Sequence, residues 1–225
     1  MPCVIIGKIF IGKFWAKEVI WLLRIFLIRH GETEWNKAGK LQGHSDVKLS
    51  PEGIHQAKLL AQHAPFQYVD AIYSSDLSRA FDTAKILAVK FNVMPVNTTP
   101  ELRETNFGEW EGRYISELTE DSPKSFGKFF TDPERCHPPQ GETFLQCQAR
   151  VMNVIRNIIA EHDGQNVIVV SHGAAIQLIL GAALDMSIHK IWAISQFNMA
   201  LNILRVDEGN FTVELVNSTL HLYQF

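Results

Sequence analysis

The 225-residue sequence is poor in cysteine, in net charge and in long uninterrupted apolar runs. The three cysteines, Cys3, Cys136 and Cys147, are an odd number without CxxC spacing, which argues against a disulfide framework and favours a reducing, cytoplasmic compartment. A net charge of -3 gives no basic field, so a nucleic-acid partner is not indicated. Repeats, low-complexity tracts and Gly/Ser linkers are also absent, and the length fits one domain.

The N-terminal segment is apolar but carries charged side chains at short intervals, in MPCVIIGKIFIGKFWAKEVIWLLR. It contains neither an uninterrupted span of membrane length nor the cleavage site of a secretory signal. One interpretation is an amphipathic helix that contacts a membrane or a partner. The favoured alternatives are a start codon placed too far upstream, or an extension packed on the domain. We therefore predict an extension over 1–24 and a domain over 25–225.

After the extension, short apolar runs alternate with amphipathic stretches, which is the pattern of an α/β fold. Ser50-Pro51-Glu52 is typical of a helix start, with Ser as the N-cap and Pro in the first turn. We expect one three-layer α/β domain with a mostly parallel central sheet and helices on both faces, although the chain between about 105 and 142 is less regular. Strands are predicted at 25–28, 71–74, 166–170, 199–206 and 211–216, and helices at 51–63, 76–91, 144–158 and 174–184.

Two of the predicted strands end in a histidine followed by a glycine. His30-Gly31 follows the apolar run at 25–28, and His172-Gly173 follows 167–170. Because the carboxyl ends of parallel strands meet at one edge of a sheet, both histidines are expected to converge on one crevice. A neutral imidazole there could attack phosphorus and hold a phosphoryl group. The alternative, a hydrogen-bonded loop histidine, is disfavoured by the matched pair.

Arg79 lies in the first turn of a predicted helix, where a cation opposes the helix dipole at a cost of about 0.3–1 kcal/mol. The ordinary alternative is an exposed arginine paired with Asp76 or Asp82. Arg29, directly before His30, could join Arg79 in a fork for the oxygens of a phosphoryl group. The two arginines therefore favour a phosphate ester as substrate.

Transfer from such an ester also needs a proton for the leaving oxygen, and the glycine-punctuated loop at 101–112 offers carboxylates for that role. Composition alone leaves the choice open, since each acid taken singly is also typical of a solvated loop residue. The four candidates are Glu101, Glu104, Glu109 and Glu111.

The motifs together carry a family resemblance that covers the chain from residue 24 to about 225. The chain resembles the histidine phosphatase, or phosphoglycerate mutase-like, superfamily. An RHG triplet alone is frequent by chance, whereas six motifs in this order are specific. The motifs are LIRHGETEWN, GHSDVKLSPEG, YSSDLSRAFDTA, LRETNFGEWEG, PPQGET and VVSHGAAI.

The resemblance implies a metal-free, cofactor-free reaction on a small phosphorylated metabolite. It implies that His30 becomes a phosphohistidine and that Glu104 acts as general acid and base. Further implied roles are a phosphate pocket of Arg29, Arg79 and His172, a phosphate contact at Asn36, substrate contacts at Gln42 and Gly43, and a backbone amide at Gly173.

Three activities remain open within the resemblance: hydrolysis, mutase-type phosphoryl transfer, and phospho-ligand binding without turnover. The stretch between Glu104 and Glu142 is short and holds no adjacent arginine pair, which favours a phosphatase. The loops resemble the alpha-ribazole phosphatase group, so that alpha-ribazole 5'-phosphate is a candidate substrate. Lys48 and Thr143 depart mildly from the pattern of the family. The sequence does not indicate an oligomeric state.

The tryptophans and the remaining histidines are assigned no part in the chemistry. Trp35 and Trp110 either line the pocket or fill the core, and Trp192 is interpreted as core because it lies among isoleucines. The remaining histidines are scattered without metal-ligand spacing and are assigned no role: His44, His55, His63, His137, His162, His189 and His221.

Overall fold

The computed structural model of the protein describes residues 5–11, 14–20, 22–121 and 123–223. The strands are β1 (Ile5–Ile11), β2 (Phe14–Ile20), β3 (Leu23–Arg29), β4 (Ala71–Ser75), β5 (Asn97–Thr99), β6 (Asn166–Ser171), β7 (Leu201–Asp207) and β8 (Asn210–Ser218). The α-helices are α1 (Glu34–Ala38), α2 (Pro51–His63), α3 (Ser78–Phe91), α4 (Ile115–Asp121), α5 (Pro123–Thr131), α6 (Phe144–Glu161) and α7 (Gly173–Ala183).

Six strands form one mixed sheet in the order β5-β4-β6-β3-β7-β8. β3, β4, β5 and β6 run parallel to their neighbours within this group, and β7 and β8 add an antiparallel hairpin at one edge. β3 and β6 lie side by side at the centre, with Arg29 opposite Ser171. The carboxyl ends of the two strands therefore open at the same place, as the sequence predicts.

Side chains of β3 alternate between two apolar cores, which explains why helices cover both faces of the sheet. Ile25 and Leu27 join the core beneath α6 and α7. Phe26 and Ile28 join the core beneath α2 and α3. The predicted three-layer arrangement with a mostly parallel sheet is confirmed.

Helix starts follow the capping chemistry of the sequence. The hydroxyl of Ser50 accepts from the amide of Gly53 at the start of α2. Thr143 caps α6 in the same way, so this departure from the family pattern preserves the cap. The predicted start of α3 at Asp76 is wrong by two residues. The carboxylate of Asp46 instead accepts from the amide and hydroxyl of Ser78, which caps α3 from a distant loop.

The stretch between 105 and 142 contains more helix than its pattern indicated, namely α4 and α5. The described parts of the N-terminal segment form strands, whereas one interpretation was an amphipathic helix. β1 and β2 pair as an antiparallel hairpin with Ile5 opposite Ile20, so the amphipathic helix is wrong for these ranges. β3 starts at Leu23, two residues before the predicted domain start.

Two further observations concern the described residues only. Cys136 and Cys147 are free thiols, while Cys3 lies outside the described residues. In the same part of the chain, every helix is too short or too polar to cross a bilayer.

Candidate active site

The two strand-end histidines lie together at the centre of the sheet. The ring centroids of His30 and His172 are 5.1 Å apart, and the rings are inclined by 60°. The backbone amide of His30 donates to the carbonyl of Ser171 at 3.0 Å, which ties the end of β3 to the end of β6. Both rings are buried. The structure thus brings together two residues that are far apart in the sequence.

His30 has a defined tautomer and charge state. Its Nδ1 lies 2.7 Å from the carbonyl oxygen of Gly31, so Nδ1–H donates and Nε2 keeps its lone pair. Burial lowers the pKa of His30 well below the usual 6.5, and the charges of Arg79 and Arg29 lower it further. The ring is therefore neutral near pH 7, and its Nε2 is available as a nucleophile.

Gly31 gives His30 its position through a close backbone approach. A Cβ at Gly31 would lie 2.4 Å from the carbonyl oxygen of Gly53 in α2, a distance that only glycine tolerates. The amide of Gly31 donates to the hydroxyl of Thr83 in α3 at 3.1 Å. The turn after β3 is thus held against two helices.

Arg29 and Arg79 each donate from Nη atoms to backbone carbonyls and leave Nε without a hydrogen-bond partner. Nη1 and Nη2 of Arg79 donate to the carbonyls of Ser45 and Gly43 at 2.8 and 2.7 Å. Nη1 of Arg29 donates to the carbonyl of Gln196. The Nε of each arginine is buried without a hydrogen-bond partner. Buried donors of this kind fit a bound anion.

The alternative interpretation of Arg79 as a surface ion pair is wrong. Arg79 is fully buried. The Asp76 carboxylate is bound by Arg103 at 2.7 and 2.6 Å, and Asp82 is paired with Lys85 at 2.7 Å. Burial lowers the pKa of Arg79 to about 10, which still leaves it cationic at pH 7. A cation buried this deeply needs a compensating anion, since the charge has lost its hydration.

Glu104 is the one acid of the four candidates that lines the cavity among the residues described. Its Oε2 accepts from the amide of Ala174 at 3.1 Å, and its Oε1 accepts from the amides of Ala175 and Thr105 at 3.0 and 2.9 Å. Two of these donors form the first turn of α7, where the helix dipole favours an acid. A Cβ on Gly173 would lie 3.6 Å from Glu104 Oε2 and 3.5 Å from Arg29 Cζ. Acid and arginine therefore meet beside Gly173.

Glu111 has a structural role that its sequence context did not indicate. Its carboxylate accepts from the amides of His44, Ser45 and Phe107 and from the hydroxyl of Ser45, at 2.6 to 3.1 Å. Gly43 fits against it with φ of 55°, and a Cβ there would lie 2.0 Å from Glu111 Oε1. Glu111 thus fixes the loop whose carbonyls hold Arg79.

Asn36 and Gln42 line the cavity and share Thr33 as a partner. The hydroxyl of Thr33 contacts Asn36 Oδ1 at 3.0 Å and Gln42 Oε1 at 2.9 Å. Asn36 Oδ1 also accepts from Asn198 at 3.1 Å. Both amide side chains are therefore held in place before any ligand binds.

Three residues that support the Glu104 loop had no assigned role. Arg150 donates to the carbonyls of Arg103 and Glu104 at 2.7 Å each, and it pairs with Glu142. Nε2 of His44 donates to the same Glu104 carbonyl at 2.9 Å. An arginine in an amphipathic helix and a loop histidine are ordinary surface features, so their sequence positions gave no signal.

One cavity of about 290 Å³ joins these groups. Eight of the nine predicted site residues line it, and His172 lies behind His30 without lining it. We call Arg29, His30, Arg79, Glu104 and His172 the phosphate floor. The aromatic residues that line the same cavity, which we call the aromatic wall, are Phe107, Phe126, Phe129, Phe130 and Trp192.

The wall corrects the interpretation of Trp192 as a core residue. Trp192 lines the cavity and is partly exposed, whereas Trp110 is buried against Phe126 and Phe129. The described part of the chain also shows no group of three or more His, Cys, Asp or Glu side chains that could hold a metal ion. The chemistry available to the site is that of a neutral imidazole, two guanidinium groups and a carboxyl.

A histidine beside two arginines and a carboxyl at the end of a parallel strand is an arrangement suited to binding a phosphate in an α/β domain. The chain belongs to the histidine phosphatase superfamily (branch 1), whose family model matches residues 25–219.

Named relatives cover nearly the whole chain. Adenosylcobalamin/alpha-ribazole phosphatase of Salmonella typhimurium is 35% identical over 199 residues, which are 87% of this chain and 96% of that protein. Phosphoserine phosphatase 1 of Hydrogenobacter thermophilus is 31% identical over 204 residues, 91% and 96% of the two chains. The structure of Bacillus stearothermophilus YhfR matches with a TM-score of 0.84 at 30% identity, over 89% of this chain and all of that one. The chain is therefore similar in sequence to two named phosphatases and similar in fold to YhfR.

Proposed function

We propose that the protein hydrolyses small phosphomonoesters through a covalent phosphohistidine on His30. The observation that carries this proposal is the state of His30. Its Nδ1–H is bound to the carbonyl of Gly31, its ring is neutral, and it lies beside two arginines with unpartnered donors. An ester phosphate placed against those donors presents its phosphorus to a nucleophilic nitrogen.

In the first step, His30 Nε2 forms a bond to phosphorus while the bond from phosphorus to the ester oxygen breaks. Arg29 and Arg79 stabilise charge on the transferring oxygens, together with His172 where that ring donates. Glu104 gives its proton to the departing alkoxide. In the second step, Glu104 takes a proton from water, whose oxygen binds phosphorus as the bond to His30 breaks, and phosphate leaves.

The reaction needs Glu104 to hold a proton when the ester binds and to have lost it when water attacks. The oxygens of Glu104 accept from three backbone amides, which hold the side chain beside Arg29.

The substrate is proposed to be a phosphorylated metabolite in which an alcohol oxygen carries the phosphate, with alpha-ribazole 5'-phosphate as the first candidate. The relative named for that activity supports the candidate, and the phosphoserine phosphatase supports a second compound to test. Mutase transfer is disfavoured, because the cations Lys128 and Arg135 of the connecting segment are exposed and do not line the described cavity.

The test is a phosphomonoester panel without added metal: alpha-ribazole 5'-phosphate, phosphoserine, the phosphoglycerates and an aryl phosphate. Parent, His30→Ala and the exposed-histidine control His55→Ala are compared. We expect His30→Ala to lose at least about 10⁴-fold in kcat on every ester and the control to match the parent. A metal chelator is expected to change nothing.

Three outcomes would contradict the proposal. Full activity in His30→Ala would exclude the nucleophile, and loss of activity with the chelator would exclude the metal-free route. Transfer between phosphoglycerates faster than hydrolysis would identify a mutase instead.

A further inference from the structure

The aromatic wall is built by helical spacing. Phe126, Phe129 and Phe130 occupy positions i, i+3 and i+4 of α5, so they share one face of that helix. Trp192 belongs to the short 3-10 helix Ile188–Ala193, and the centroid of its ring lies 4.7 Å from that of Phe130 and 6.1 Å from that of Phe129. Two separate segments therefore combine into one apolar surface.

Some rings of the aromatic wall are buried in the core, and others are partly exposed to the cavity. Phe126 and Phe129 are 4% and 1% exposed, and they pack against Trp110 and Phe144 as core residues do. Phe130 and Trp192 are 39% and 36% exposed, although they touch each other and line the cavity. Adjacent large apolar rings left open over a cavity are typical of a ligand surface.

Cations in the cavity are concentrated at the phosphate floor. Among the lining residues that the structure describes, Lys40 is the one further cation. Its Nζ lies 4.7 Å from the ring centroid of Tyr114 and 5.8 Å from that of Trp35, an arrangement in which aromatic faces already stabilise the charge. A leaving group with its own carboxylate or second phosphate would find few partners here.

We infer that the site selects phosphomonoesters whose leaving alcohol carries an aromatic ring, which packs on Phe130 and Trp192 while the phosphate occupies the floor. Packing of a flat ring on the exposed faces of Phe130 and Trp192 removes apolar surface from water on both partners. A compact, charged alcohol such as serine or glycerate gains nothing from this surface. The inference rests on the proposed function, because the ring is positioned relative to a phosphate bound at His30.

The test compares kcat/KM for benzyl phosphate, phosphoserine and ethyl phosphate, which are all esters of alkyl alcohols and so avoid a difference due to phenol leaving groups. We expect the parent to prefer benzyl phosphate to each of the others by at least about tenfold. Phe130→Ala and Trp192→Ala are each expected to lose about tenfold on benzyl phosphate and less than about twofold on ethyl phosphate.

Two further variants control the measurement. Phe197 is 62% exposed and lies outside the cavity lining, so Phe197→Ala should leave all three values unchanged. Phe130→Tyr keeps the ring and should retain the preference for benzyl phosphate, which separates loss of the ring from any disturbance of α5. Thermal unfolding midpoints of all variants verify that they fold.

The inference is overturned if the parent hydrolyses phosphoserine as efficiently as benzyl phosphate, or if the wall variants lower all three values equally. In that case His30→Ala would still abolish turnover, and the proposed function would stand. If His30→Ala matches the parent on every ester, or the parent hydrolyses none, the proposed function falls and the inference falls with it.

Discussion

The phosphate floor and the aromatic wall belong to one cavity, but they are held by different forces. Floor residues are fixed by backbone hydrogen bonds at strand ends and helix starts, such as those of His30 with Gly31 and Glu104 with Ala174. Wall residues are fixed by ring contacts on α5 and around Trp192, and two of them are partly exposed. The difference separates two tasks: the floor has the directional geometry that phosphoryl chemistry requires, and the wall has the non-directional surface that selects a leaving group.

After His30→Ala, the largest expected effect comes from Glu104→Gln, which keeps the shape of the side chain but removes its proton. For alkyl phosphates we expect kcat/KM to fall by about 10²–10⁴-fold, because the alkoxide must be protonated as it leaves. For 4-nitrophenyl phosphate, whose leaving group needs no proton, kcat/KM should fall much less. Glu109→Gln, at an exposed acid of the same loop, is the matched control. Equal losses on both esters, or a pH profile identical to that of the parent, would remove Glu104 from the role of acid.

Arg79→Lys tests whether the floor acts on every substrate alike. Lysine retains the charge but cannot donate to Gly43, Ser45 and a phosphate oxygen together, so we expect about a 10²-fold loss in kcat/KM on all esters. Arg113→Lys, at a surface ion pair with Asp121, should have no effect. A loss in kcat/KM that varied strongly with the leaving group would contradict the separate roles of the floor and the wall.

Gly31→Ala and Gly127→Ala compare the packing of the two regions. The Cβ at Gly31 would meet the Gly53 carbonyl at 2.4 Å, and we expect the free energy of unfolding to fall by about 1–3 kcal/mol. At Gly127 in α5 no atom lies within 4 Å of the new Cβ, so alanine should be neutral or stabilise by up to about 1 kcal/mol. Urea denaturation measures both values. Equal destabilisation would show that the wall helix is packed as tightly as the floor.

The smallest expected effect is on the pH dependence of stability. The pKa of His30 is lower in the folded protein than the usual 6.5, so the unfolded chain binds the proton first as the pH falls. Stability contributed by neutral His30 is therefore present above about pH 6.5 and is lost as the pH falls toward the folded pKa, by up to about 1.4 kcal/mol per pH unit. His30→Gln should make the free energy of unfolding less dependent on pH below 6.5. An unchanged slope would mean that His30 is protonated in the folded state.

The floor could be predicted from the sequence because its chemistry is encoded locally. The apolar run before Arg29-His30-Gly31 predicts a strand that ends at the site, and these three residues indicate phosphoryl chemistry. His172-Gly173 repeats the pattern. Parallel pairing of β3 and β6 then brings the two together. The role of each floor residue remains a prediction, while their convergence is a structural fact.

The wall could not be predicted because it depends on tertiary packing. Ile191 and Ile194 are buried, but Trp192, in the same short helix at Ile188–Ala193, lines the cavity. α5 is a short helix within a stretch without a clear apolar period, so its shared phenylalanine face was not recognised. The positions of Arg150 and Glu142 beneath Glu104 likewise follow from the packing of α6 on a distant loop.

The stereochemical course at phosphorus tests the central claim most directly. A phosphorothioate ester whose phosphorus carries sulfur and two different oxygen isotopes is hydrolysed in water of the third oxygen isotope, and the configuration of the released thiophosphate is determined by phosphorus NMR. Transfer to His30 followed by transfer to water inverts the phosphorus twice, so the account predicts net retention. Net inversion would show a single direct attack by water and would contradict the covalent phosphohistidine.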